Sequence, residues 1–165
     1  MIFSIFGSKG VTVSGDTIST TTEGMALADN TIRQAKHWEV LIVSDPYLYS
    51  TVGIAQPTTD INNFVGAGPD AFGWYTNSAL ITAGNPIMYL VPYGIGDTLS
   101  FSLFGNQLEF GKNGILVGSM TVPKGAWYPA LGASSGGQTV QMFTKLKLTG
   151  HKKLSLWQKI KKFFS

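Results

Sequence analysis

The chain has 165 residues, enough to bury about 70% of its unfolded surface in one domain without a disulfide or metal staple. It has no cysteine and only two histidines, His37 and His151, so zinc sites, thiol chemistry and a disulfide framework find no support and the redox compartment is unread. Charged residues make up 13%, hydrophobic residues 44%, and the net charge is +3, which argues against disorder and suits a β-sandwich with polar, uncharged loops.

In chain order, Met1-Ile2-Phe3-Ser4-Ile5-Phe6-Gly7 is apolar but short and has no basic flank, which fits an edge strand better than a signal peptide or a membrane span. Val11 to Thr20 reads as two short strands around Gly15-Asp16. Met25 to Ala35 has the residues for a brief helical turn or an irregular crossover. Lys36 to Ser44 is the best early strand; Trp38, Val40 and Ile42 share one face and Glu39, Leu41 and Val43 the other. Both faces are largely apolar, as in a central strand. Asp45-Pro46-Tyr47-Leu48-Tyr49-Ser50 is a turn carrying two aromatics before a strand at Thr51 to Ala55. Residues 56–70 form a long loop rich in Gly, Pro, Asn and Asp, a length more often functional than inert. Trp74-Tyr75 and Ala79 to Thr82 are strand material, Gly84-Asn85-Pro86 a turn, and Ile87 to Val91 a buried strand.

Residues 93–143 organise the rest. Thr98 to Leu103 alternates with Leu99, Phe101 and Leu103 on one face, Gly105-Asn106 turns the chain, and Gln107 to Phe110 alternates again before Asn113-Gly114. Asn-Gly between alternating runs marks a tight hairpin, because both turn positions need positive φ. By periodicity alone this is a meander of short antiparallel strands, whose last member, Thr139 to Phe143, can extend in the same parity to Leu148.

In the same order, Tyr93-Gly94, Gly96-Asp97, Phe110, Asn113-Gly114, Tyr128-Pro129-Ala130 and Ser134-Ser135-Gly136 resemble the motifs of the SPRY (B30.2-like) family. Upstream, His37-Trp38-Glu39-Val40, Val52-Gly53-Ile54-Ala55 and Phe72-Gly73-Trp74-Tyr75 resemble further family segments, so the likeness spans residues 11–143. It implies an all-β fold, a two-sheet antiparallel β-sandwich of the concanavalin-like jelly-roll kind, and a protein-interaction module that uses variable loops at one end. By position those loops are residues 46–50, 56–70 and part of 74–77. Tyr47, Tyr49, Asp60, Asn62, Asn63, Phe64, Trp74, Tyr75 and Asn77 are therefore the expected ligand or partner residues. Trp38 and Trp127 belong to core segments, and Trp74-Tyr75 is the expected exposed pair, an aromatic surface of low charge. Nothing resembles a companion RING, B-box or SOCS-box segment, so ubiquitin-ligase adaptor work is not implied.

No motif carries catalysis. The acids are scattered, with no pair marked for glycoside hydrolysis, and Asp97 after Gly96 suits the capture of backbone donors. His37 on a strand and His151 in the tail are both set apart from a serine nucleophile. Gly66-Ala67-Gly68 reads as a turn, since no phosphate-binding lysine and helix follow it, and Asp60-Ile61-Asn62-Asn63 is a weak calcium loop. The expectation is a non-enzymatic protein with no metal and no cofactor.

Residues 145–165 hold seven lysines and no acid, whereas residues 1–144 hold five basic and nine acidic side chains, a balance of −4. Such asymmetry marks a tail with its own partner. From Leu154 the period changes: Leu156, Trp157, Ile160, Phe163 and Phe164 fall on one helical face, with Lys159, Lys161 and Lys162 outside it. The division is thus a sandwich over residues 1–148 and a basic amphipathic helix over residues 149–165. An isolated helix that short is marginal in water, so three places for its apolar face stay open: its own domain, a neighbouring subunit, or an anionic membrane. Nucleic acid fits poorly with an acidic domain. A small, weakly charged sandwich rich in Gly, Ser, Thr and Asn with an attachment helix suggests a bacteriophage or viral virion subunit. It would be capsid-associated, a spike or receptor-binding, oligomeric in context, with capsid, vertex or tail proteins and a host-surface protein or glycan as partners.

Overall fold

The computed structural model describes residues 11–14, 17–20, 23–27, 37–44, 50–133 and 140–145. The expected helix at 149–165 and residues 1–10, 15–16, 21–22, 28–36, 45–49, 134–139 and 146–148 lie outside them. Thirteen strands occur in order: β1 (Val11–Ser14), β2 (Thr17–Thr20), β3 (Gly24–Leu27), β4 (His37–Ser44), β5 (Ser50–Ala55), β6 (Ala71–Tyr75), β7 (Ala79–Thr82), β8 (Asn85–Tyr89), β9 (Thr98–Phe104), β10 (Gln107–Lys112), β11 (Ile115–Thr121), β12 (Tyr128–Ala133) and β13 (Val140–Lys145). They form a seven-stranded sheet, β1-β2-β13-β4-β9-β10-β11, and a six-stranded sheet, β3-β12-β5-β6-β7-β8. All pairings are antiparallel, so the expected two-sheet antiparallel sandwich is the fold.

Alternation along each strand builds the core. Trp38, Val40 and Ile42 of β4 point inward with Leu99 and Phe101 of β9 and Leu108 and Phe110 of β10. They meet Val52, Ile54, Phe72, Trp74, Leu80 and Leu131 from the six-stranded sheet. The aromatic centre is ordered: Trp38 stacks on Phe101 at 4.4 Å and 11°, while Trp74 meets Phe101 and Phe110 edge-on, each at 6.2 Å. β4 is the middle strand of its sheet, as its two apolar faces suggest.

A second apolar cluster lies outside the six-stranded sheet, where Met25, Leu27, Ala55, Val65, Ala71 and Ala130 are buried together with Ile61 against them. Those residues alternate with the inward set, so they would face water unless something covered them. Residues 56–70 provide that cover. The neck closes where Gln56 N donates to Asp70 O (2.8 Å), and Met25 N donates to Ile61 O (3.0 Å). Glycine makes the close approach possible, since a Cβ on Gly73 would collide with the Val65 carbonyl.

Three sequence expectations change here. Gly24–Leu27 is a strand rather than a helical turn, because Ala26 and its neighbours Met25 and Leu27 alternate between the two clusters. The turn before β8 is Ala83-Gly84, both at positive φ (48° and 72°), while Asn85 and Pro86 are already strand. The segment Ile87 to Val91 is not buried: β8 ends its sheet, Met88 and Leu90 reach the core, and Ile87, Tyr89 and Val91 are 46%, 70% and 36% exposed. Pro86 was the signal, since a residue without an N–H is confined to a sheet edge or a bulge.

Candidate functional site

Most of the conspicuous motif residues hold the scaffold together. Asp97 sits between Gly96 (φ 89°) and β9, and its Oδ2 accepts from Gly94 N (2.9 Å) and pairs with Lys112 Nζ (2.9 Å). Its Oδ1 accepts from Asn113 Nδ2 (2.8 Å). Asn113 takes the left-handed conformation (φ 53°) demanded by the two-residue turn, accepts from Thr98 N through Oδ1 (2.9 Å), and donates its own N–H to Thr98 O (2.8 Å). Lys112 Nζ also donates to Pro92 O (2.8 Å). Gly-x-Gly-Asp and Asn-Gly, separate in sequence, are therefore one clasp. Burial alone would raise the Asp97 pKa, but hydrogen bonds from Asn113, Lys112 and Gly94 together with the Lys112 charge leave it lowered. The expectation that Asp97 captures backbone donors holds at Gly94.

Tyr93 is a second internal tie. Its hydroxyl lies 2.9 Å from Ser50 O and 3.0 Å from Trp74 O, joining β5 to β6, and accepts from Ser50 Oγ at 3.3 Å. Its ring meets Trp74 edge-on at 5.5 Å. Trp74 is wholly buried and its Nε1 donates to Val91 O (3.0 Å), so the expectation of an exposed aromatic platform there is wrong. The residue falls on the inward parity of β6 with Phe72, which is what buries it. Trp38 and Trp127 are core residues, as expected.

The other expected contact residues divide into two groups. Asp60, Asn62 and Asn63 form a self-contained loop: Asp60 Oδ1 accepts from Asn62 N and Nδ2, each at 3.0 Å, and Oδ2 from Asn63 Nδ2 at 2.7 Å. The backbone bond from Asn62 leads the causes that lower the Asp60 pKa. Those amides take three of the carboxylate's roughly four acceptor positions, and among the described residues no group of three metal-ligating side chains occurs. Asp60 and Asn62 are exposed, Asn63 and Phe64 half-buried. Tyr75, half-buried, ends β6, and Asn77, exposed, lies in the turn that follows, where its Oδ1 accepts from Ala79 N (3.1 Å). Tyr47 and Tyr49, and the tail residues Leu156, Trp157, Lys159, Ile160, Lys161, Lys162, Phe163 and Phe164, lie outside the described residues.

The sheet also makes a contact that sequence distance hides. His37 Nδ1 lies 2.8 Å from Ser102 Oγ, and His37 Nε2 lies 3.3 Å from Glu39 Oε1, on the outer face of the seven-stranded sheet. The expected separation of His37 from a serine does not hold, because register pairs His37 with Ser102 across β4 and β9. A serine, a histidine and a carboxylate in line invite comparison with an acyl-transfer triad. Such a triad also needs preorganised donors for an oxyanion, and β9 is paired on both sides, so the Ser102 backbone belongs to the ladder. The row orders a sheet face.

No family profile and no curated protein matches the sequence. The structure is similar to a human SPRY domain, with a TM-score of 0.72 and 22% identity over 86% of this chain and 98% of that one. It is similar to the SPRY domain of human HERC1 (TM-score 0.73, 18% identity, 86% and 96% covered) and to the TRIM65 PSpry domain (0.67, 15%, 88% and 92%). At these identities the likeness is one of fold, and the clasp of Asp97 with Asn113 and the Tyr93 tie account for the motifs that suggested it: the chain has the SPRY-domain fold.

Proposed function

We propose that the chain is a non-enzymatic recognition or structural module that presents sandwich loops to a protein partner and joins a larger assembly through residues 149–165. The carrying observation is that Asp97, Lys112, Asn113, Tyr93 and Trp74 are all committed to the scaffold, while Asp60, Asn62 and Asn77 stand exposed on hydrogen-bonded loops. Rigid polar loops on a sandwich serve binding, since the scaffold fixes their shape before contact. The weakly charged composition and the basic, amphipathic tail favour a virion subunit that is capsid-associated, a spike or receptor-binding, with capsid, vertex or tail proteins on the anchored side and a host-surface protein or glycan on the other. Full burial of the tail's five large apolar residues stabilises by at most about 7–15 kcal/mol before ordering, enough to anchor a subunit.

Deleting residues 150–165 tests this. The shortened chain should fold, with an unchanged β-sheet circular dichroism spectrum, and should no longer sediment with its assembly. Assembly that proceeds unchanged refutes the anchor. The seven lysines of residues 145–165 support a second function, attachment to an anionic membrane. Flotation with anionic but not neutral liposomes at low salt would favour it.

A further inference from the structure

We propose that Asn113-Gly114 is a self-modifying site, a deamidation site that the Asp97 clasp holds shut and whose reaction, once it has run, keeps the clasp open. Asn113 is the one asparagine in the chain followed by glycine. Glycine has no side chain to shield its nitrogen, so that nitrogen can attack the neighbouring side-chain amide. Both residues are exposed, and a Cβ on Gly114 would meet nothing within 4 Å, so neither burial nor crowding keeps water from the pair.

The reaction needs only the chain and water. The Gly114 nitrogen bonds to Asn113 Cγ, the Cγ–Nδ2 bond breaks, and ammonia leaves with the proton that Gly114 N gives up. Water then opens the five-membered imide at either carbonyl, leaving aspartate or isoaspartate at position 113.

The folded turn opposes the first step twice. Lys112 faces Ile115 in the ladder, so Asn113 and Gly114 are the two central residues, and their φ of 53° and 82° fit a type I′ turn. The first central residue of that turn has ψ of about +30°, which sets the Gly114 nitrogen on the far side of the Cα–C bond from the Asn113 Cβ. Ring closure needs the two nearly eclipsed. The amide itself is also held: Oδ1 accepts from Thr98 N (2.9 Å) and Nδ2 donates to Asp97 Oδ1 (2.8 Å). Those partners stand at the head of β9, on one side of β10, whereas Gly114 leads the chain to β11 on the other. The side chain must drop both bonds and the backbone must leave the left-handed region before the ring can close. The rate therefore follows the fraction of molecules in which the clasp is open.

The product cannot restore the clasp. An ionised carboxylate at position 113 has no hydrogen to donate to Asp97. Lys112, which balanced one carboxylate, then faces two. Isoaspartate also adds a carbon to the main chain of a two-residue turn, which disturbs the register of β11, the strand that ends its sheet and packs Val117 and Met120 on the core. The hairpin thus keeps an irreversible record of clasp opening.

Peptide mapping by mass spectrometry of the full chain, held in warm, mildly alkaline buffer, reads the rate at position 113. The folded chain should deamidate there at least about 100-fold more slowly than the same chain unfolded in guanidinium chloride, and Asp97→Ala should react at least about tenfold faster than the natural chain. Val52→Ala, which weakens the core from the opposite sheet, should leave the rate within about twofold. Asn113→Asp, the product with its main chain unlengthened, should melt below the natural chain at neutral pH. A folded chain that reacts as fast as the unfolded one, a rate indifferent to Asp97→Ala, or a Val52→Ala rate that matches Asp97→Ala overturns the protection. An Asn113→Asp chain as stable as the natural one overturns the lasting opening.

Discussion

Replacing Asp97 by alanine removes three hydrogen bonds at a stroke, the one from Lys112 being also an ion pair. The carboxylate accepts from Gly94 N, Lys112 Nζ and Asn113 Nδ2 at 2.8–2.9 Å. Hydrogen bonds to a charged group contribute about 1.5–3 kcal/mol each when fully formed and buried. Here Lys112 and Asn113 can turn to water, so most of their share is recovered, while Gly94 N, half-buried, regains little. A net loss of about 2 kcal/mol follows, which in a domain of this length lowers the melting temperature by about 4–8 °C. A double-mutant cycle of Asp97→Ala with Asn113→Ala, read by urea unfolding, should show coupling of about 1 kcal/mol, because both residues act in one clasp. Asp97 has a lowered folded pKa, so its contribution is present above the ordinary value of 3.8 and disappears as pH falls through the folded pKa. The stability gap between the natural chain and Asp97→Asn should therefore close in that acid range. A melting temperature within about 1 °C of the natural chain, or strict additivity in the cycle, would refute the clasp.

Trp74→Ala should destabilise by about 3–5 kcal/mol, since it empties a central core position and leaves Val91 O without its indole donor. A small change in chemical denaturation would instead mean an exposed platform. Ala83 holds φ 48° at an exposed turn, so Ala83→Asn should stabilise by about 0.5–1 kcal/mol in the same assay; a loss would show that the turn's contacts with residues 66–68 matter more.

Residues 56–70 show how a loop that sequence marks can carry a second task that sequence hides. Length, glycines and polar residues are the same for a recognition loop and for a cover. What adds the covering task is the outward parity of Met25, Leu27, Ala55 and Ala71, which creates an apolar surface the loop buries through Val65 and Ile61. Likewise, Trp74 beside Tyr75 looks like an accessible aromatic pair until the neighbouring strands fix which side of β6 faces inward. His37 and Ser102 touch only because β4 and β9 share a ladder at that register.

Local chemistry alone determined the strands around Asn113-Gly114, the alternation of β4, β9 and β10, and a meander of short antiparallel strands, because hydrophobic period and turn residues act over a few positions. Tertiary structure decided which side of each strand is wet, how Asp97 and Asn113 close on one another, and why β8 and β11 stand at sheet edges. Those outcomes depend on strand order and register, which bring together residues far apart in the chain and which no local pattern encodes.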